Sequence, residues 1–170
     1  MTERGSRLGE VFSFPSPVNE ISARLVAGGV GLLALATLIS GQLWMAALIA
    51  CGFVARTLTG PTLSPLAQLV TRVITPRLPL APRLVPGPPK RFAQAIGAAL
   101  STAAAVLALG FGLDAAAYAL LGLLIAAATL EAVFAICLGC IVFAFLMRIG
   151  LVPAAVCERC DDIRAEPVPP

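Results

Sequence analysis

Apolar residues in this chain gather into four long blocks, set apart by short polar turns and one long Pro-rich connection, with none of the period-two alternation of strands. The first block runs from Ile21 to Ser40 and the second from about Gln42 or Leu43 to Thr59, with Gly41 as the tight joint. Each approaches the ~20 residues needed to cross ~30 Å of hydrocarbon, which predicts a transmembrane hairpin. In the third block, Phe92 to Gly112, the small residues Ala93, Gly97, Ser101 and Ala105 recur every fourth position and predict a face for close helix packing. The fourth, Ala115 to Met147, has Glu131 as its only charge and, at ~1.5 Å per residue, is longer than one straight crossing requires. It is expected to tilt, to bend near Gly122 or Gly139, or to project from the bilayer.

Between the second and third blocks, Arg56 to Arg91 is broken by prolines 61, 65, 76, 79, 82, 86, 88 and 89, so it cannot form one helix. Leu66, Leu69, Val70, Val73 and Ile74 recur within it at helical spacing, predicting a short amphipathic helix over about 63–75 that lies in the membrane interface. An extended segment follows. The expected architecture is all-α: a polar segment (1–20), a four-transmembrane-helix bundle (21–148) and a Pro- and Cys-containing tail (149–170).

Composition strengthens the membrane reading. Of 170 residues 59% are hydrophobic and 12% charged, with mean hydropathy +0.95, far from the usage of soluble domains. A net charge of +3 is too small and scattered to suggest nucleic acid. Histidine is absent, which excludes His metal ligation, His-bound haem and His acid–base chemistry. The polar N-terminus shows no small-residue cleavage site, so no removable signal peptide is read. Arg56, Arg72, Arg77, Arg83, Lys90 and Arg91 fall in the second loop, whereas the first loop is uncharged and the third has only Asp114. Since cytoplasmic loops retain Lys and Arg, both termini are expected inside.

Chemistry concentrates in Leu130 to Phe143, LEAVFAICLGCIVF. On a helix Cys137 and Cys140, at i and i+3, share a face, so the pair permits a dithiol/disulfide cycle and these two are the candidate catalytic residues. Against this, free cysteine is also a small core hydrophobe, inert in apolar surroundings. Glu131 is an intramembrane carboxylate, which by default asks for a partner. On a straight helix it points about 120° from Cys137 and about 180° from Cys140, so a different neighbour is expected, with Arg56 and Arg24 the candidates. A structural ion pair and a substrate or proton role stay open for it. Pairing with either arginine requires a crossing over about 115–134, while the apolar run after Cys140 favours one over about 128–147. Lys90 and Arg91 are read as topology anchors or as contacts for a headgroup or anion. Cys51 reads as packing. Cys157 and Cys160, in the polar CERC tail, are accessory thiols. With the first pair they give C-x2-C-x16-C-x2-C, the arithmetic of a zinc site, but the apolar setting of the first pair argues against metal.

Four ordered motifs, VNEISARLVAG (18–28), ARTLTGPTLSPLAQL (55–69), PKRFAQAIG (89–97) and LEAVFAICLGC (130–140), resemble a bacterial integral membrane family of unknown function, of the DUF4395 type. The resemblance implies a polytopic plasma-membrane protein linked with thioredoxin-like or rhodanese-like soluble partners and thereby with sulfur metabolism. The positions it carries over are Asn19, Arg24, Arg56, Pro61, Ser64, Pro65, Lys90, Arg91, Phe92, Glu131, Cys137 and Cys140. The CERC tail lies outside its pattern. The function expected is thiol–disulfide or sulfur transfer at the cytoplasmic face through Cys137 and Cys140. A carrier for a small sulfur-containing anion and a non-catalytic membrane scaffold are the alternatives. No quinone, nucleotide or hydrolase motif is visible, and no cofactor is expected.

Overall fold

The computed structural model describes residues 17–79 and 81–153. Extended Asn19 accepts the Ile21 N–H on its side-chain oxygen at 3.0 Å and so starts helix α1 (Glu20–Ser40), which Gly41 ends in the left-handed conformation at φ 67°. After one tight turn, where the Trp44 indole donates to Gln42, α2 (Met45–Thr59) begins and runs to Gly60. Ser64 caps α3 (Pro65–Leu69), whose Pro65 stands where a missing N–H costs nothing. This short helix widens into a π turn at Val70–Ile74 and tightens into a 3₁₀ turn at Thr75–Arg77. The helix expected over 63–75 is thus present in pieces, and Leu66, Ala67 and Val70 seat it on Leu25 and Val26 of α1.

An extended stretch then returns to the start of the chain. Strands β1 (Val18–Asn19) and β2 (Leu84–Val85) form a two-residue antiparallel ladder, with Val18 opposite Val85 and Asn19 opposite Leu84. The Glu20 N–H reaches Arg83 C=O at 2.7 Å and the Glu20 carboxylate meets the Arg83 guanidinium at 3.0 Å, lengthening the clasp. Next come α4 (Gly87–Phe111), α5 (Asp114–Phe134) and α6 (Leu138–Arg148). Helix α4 begins earlier than the expected Phe92, because Pro88 and Pro89 fit its first turn.

The long helices form a ring in which α1 packs on α5, α5 on α4 and α4 on α2, with α6 against the start of α4. Small residues set the spacing. A Cβ on Gly97 would lie 2.3 Å from the Phe53 ring, so glycine is what lets α4 close on α2. The core holds Val30, Ala34, Ile49, Phe53, Ala104 and Leu121, while Leu32, Ile39, Leu58, Leu109 and Phe111 face outward. Helices α1, α4 and α5 are long and apolar enough to cross a membrane, and most of their surface is left outside the bundle. Outward apolar surface on that scale requires lipid.

The last block departs from expectation. The block from Ala115 to Met147 is two helices, parted at Ala135–Cys137 and at neither Gly122 nor Gly139.

Candidate functional site: the break between α5 and α6

Ala135 has φ 58°, the one non-glycine at positive φ among the described residues, a conformation that costs an alanine about 1 kcal/mol. Bonds to the ends of α5 hold it there. The Ile136 N–H reaches back to Leu130 C=O at 3.1 Å. Arg24, on α1, donates from Nε and Nη2 to Ala132 C=O at 3.2 and 3.0 Å and from Nη2 to Val133 C=O at 3.0 Å. A helix end leaves its last carbonyls without partners, and a cation there also meets the negative end of the helix dipole. Arg24 therefore caps α5. It is not the partner of Glu131.

Past the break, Cys137 is extended (φ −91°, ψ 101°) and its carbonyl accepts the Ile141 N–H at 3.1 Å, making it the N-cap of α6. Cys140 follows in the first turn, and its Sγ stands 2.7 Å from Cys137 Sγ. Gly139 presses this turn onto α4: a Cβ there would sit 2.5 Å from both Ala93 Cα and Ala93 Cβ. Phe143, one turn on, meets the Phe92 ring with centroids 5.6 Å apart.

Glu131 is bonded to Lys90, Nζ to Oε1 at 2.7 Å, with side chains only 20% and 10% exposed. Sequence reasoning placed Lys90 in a loop, as an anchor or headgroup contact. Because α4 starts at Gly87, Lys90 instead rides in its first turn beside the end of α5. There its ammonium is also within electrostatic reach of both thiols. The straight-helix argument that separated Glu131 from the cysteines lapses at the break, which turns Cys137 and Cys140 back toward the same lysine.

Arg56, the other expected partner, is 4% exposed, stacks its guanidinium 4.4 Å over the Phe53 ring and donates from Nε to Gln94 Oε1 at 3.1 Å. Gln94 was overlooked in the sequence. Its signal was a polar residue one turn after Lys90 on the same face of an apolar helix. Exposed Arg91 donates to Thr57 C=O at 3.0 Å, near the end of α2. Cys51 is exposed on α2 and does not pack in the core, contrary to expectation. Cys157 and Cys160 lie outside the described residues.

Beside these charges a cavity of about 520 Å³ opens between the start of α1, the end of α2 and the 60–82 segment. Arg56, Lys90 and Gln94 line it, as do Ser22 and Thr75, whose hydroxyls are 2.9 Å apart.

The pattern of the domain of unknown function DUF4395 matches residues 18–148. The chain belongs to that family. The DUF4395 match takes in the clasp, the cavity lining apart from Pro17, the Lys90–Glu131 pair and the Cys137–Cys140 turn, and it ends before the tail cysteines. No curated protein and no solved structure matches the chain.

Proposed function

We propose that this DUF4395 protein crosses a bacterial inner membrane four times, through α1, α2, α4 and α5, with both termini cytoplasmic. In this reading Cys137 and Cys140 carry thiol–disulfide or sulfur transfer at the cytoplasmic face. The β1–β2 clasp supports the crossing count, since it ties the starts of α1 and α4 together on one side, so the chain between them makes an even number of passes. Arg72, Arg77 and Arg83 belong to that same end, in keeping with a cytoplasmic side. At ~1.5 Å per residue the 11 residues of α6 fall well short of a crossing, which leaves the thiol turn near the interface. The exposed Leu69 and Ile74 of the α3 region suit a helix resting on that interface.

The observation that carries the chemical reading is the sulfur contact at 2.7 Å on the first turn of a helix, beside a lysine. Unpaired N–H groups of a first turn favour a thiolate, and Lys90 adds to this against the opposing charge of the Glu131 carboxylate it is bonded to. In exchange, one thiolate attacks the disulfide of a soluble thioredoxin-like partner, forming a mixed disulfide and releasing one partner thiolate. The second thiol then attacks the mixed bond and releases the other. The membrane pair ends oxidised by two electrons and the partner reduced by two. A rhodanese-like donor would instead leave a persulfide on one thiol. Attack by the second then closes the disulfide and expels hydrosulfide.

Trapping thiols with a maleimide tag in native membranes tests the reading. Cys137 and Cys140 should shift together between tagged and untagged forms as the medium is made reducing or oxidising, and either Cys→Ser change should abolish the phenotype that deletion produces. Cys51→Ala should be silent. Full complementation by the Cys137→Ser/Cys140→Ser double variant would remove the proposal.

A further inference from the structure

Arg56 and Lys90 are 4% and 8% exposed, and both line the cavity. Burial of charge is costly unless a counter-charge or hydrogen bonds compensate it. The acids among the described residues are Glu20, Asp114 and Glu131. Glu20 is engaged by Arg83 at the clasp, and Asp114 starts α5 at the far end from Glu131. Among the described residues Glu131 is thus the one carboxylate at this end of the interior, and Lys90 occupies it.

The direct contacts of Arg56 are neutral, an amide oxygen on Nε and an aromatic ring beneath its plane, and Glu131, already bonded to Lys90, is within its electrostatic reach. Since a guanidinium has five N–H donors, the terminal nitrogens of Arg56 retain donors for whatever enters the cavity it lines. Gln94, Ser22 and Thr75 add neutral polar groups to the lining, and Val26, Pro61 and Ala67 add apolar surface. A volume of about 520 Å³ far exceeds a bare inorganic ion and suits a small organic molecule.

We propose that this cavity binds an organic anion, its oxyanion group seated against Arg56 and Lys90 and its apolar body along the surface of Val26, Pro61 and Ala67. Among the described residues, two buried cations set against one carboxylate leave one unit of positive charge, which a single negative charge on the ligand neutralises. That chemistry reaches the site from two sources, a soluble monoanion or the phosphate of an acidic lipid. The inference does not depend on thiol exchange and survives its failure.

Full-length protein in a neutral detergent is titrated with benzenesulfonate and with benzenesulfonamide, the same ring without the charge, following heat of binding and unfolding temperature. Benzenesulfonate should bind saturably and stabilise, and the sulfonamide should not. Glu131→Gln, which raises the site's positive charge, should tighten binding about tenfold or more, and Arg56→Gln should weaken it by a similar factor. Ser22→Leu fills the cavity without touching its charge and should abolish binding, which keeps the test open should Arg56→Gln fail to fold. Nanodiscs of phosphatidylcholine with and without phosphatidylglycerol separate the sources: competition by phosphatidylglycerol assigns the site to a lipid phosphate, and its absence assigns it to a soluble anion. The proposal is overturned if benzenesulfonate binds no better than its amide while phosphatidylglycerol stabilises no better than phosphatidylcholine. It is equally overturned if Ser22→Leu and Glu131→Gln both bind as the unaltered protein does.

Discussion

Lys90 and Glu131 stand 41 positions apart in the chain and 2.7 Å apart in space, joining the first turn of α4 to the last turn of α5. Removing one member of a largely buried pair strands the other charge, at a cost of ~3–5 kcal/mol, whereas replacing both with apolar or neutral groups is close to neutral. Lys90→Met and Glu131→Gln should each lower the unfolding temperature in detergent, and the double variant should regain most of the loss. Arg24→Gln combined with Glu131→Gln should show additive losses instead. A cycle in which Arg24 couples to Glu131 as strongly as Lys90 does would contradict the pairing.

Ala135 gives a test in which the sign of the effect decides. In a continuous helix Ala→Gly costs ~1 kcal/mol, but at a left-handed position glycine is the relaxed residue. Ala135→Gly should therefore raise stability by up to about 1 kcal/mol, and Ala135→Val should lower it. Thermal unfolding of the two variants, side by side, reads the result. A destabilised Ala135→Gly would mean that α5 and α6 are one helix.

Gly139→Ala places a methyl group where the backbone and Cβ of Ala93 already stand. Backbone cannot swing aside as a flexible side chain does, so overpacking of about 1–3 kcal/mol is expected, with α6 pushed off α4. The same shift should raise the rate at which Cys137, now 9% exposed, reacts with a maleimide. Unchanged labelling and unchanged stability would show that this turn does not rest on α4.

Arg24→Gln should cost ~1.5–3 kcal/mol, the usual worth of hydrogen bonds from a charged donor, because the carbonyls of Ala132 and Val133 lose their partner. The loss should be local. Hydrogen exchange at residues 130–137 is expected to rise well before exchange in the middle of α5, and a uniform rise along the helix would refute the capping role.

Reporter fusions check the side of the membrane. A fusion after Arg77 should read as cytoplasmic and an insertion near Asp114 as external. An external reading after Arg77 would invert the whole arrangement.

Much of the frame was legible from residue types alone. Small residues every fourth position announced the α4 face, and Gly41 and Gly112 marked helix ends by the left-handed turn each supplies. Around the site, local signals pointed the wrong way. Ala135 stands among VFAIC with no glycine, proline or asparagine to mark a stop, and alanine is the strongest helix former of all. What holds the end of α5 is Arg24, 108 positions before the Ala132 carbonyl it bonds, and such a contact leaves no trace in local periodicity. Lys90 was misread for a related reason. A double proline normally argues for loop, yet Pro88 and Pro89 open a helix and carry the lysine inside.

The two-residue clasp also dictates an order of assembly. As the chain emerges, α1 and α2 can pair early, but β1 has nothing to hold until Leu84 and Val85 have been made. Lys90 and Gln94 come later still, so the pocket they border stays incomplete until α4 arrives, and Arg24 waits longer for the carbonyls of α5. Synthesis must therefore reach Gln94 before Arg56 has its hydrogen-bond partner, and the end of α5 before Lys90 and Arg24 have theirs. A chain stalled after α2 would hold Arg24 and Arg56 without the carbonyls and the amide that accept their hydrogen bonds in the finished fold.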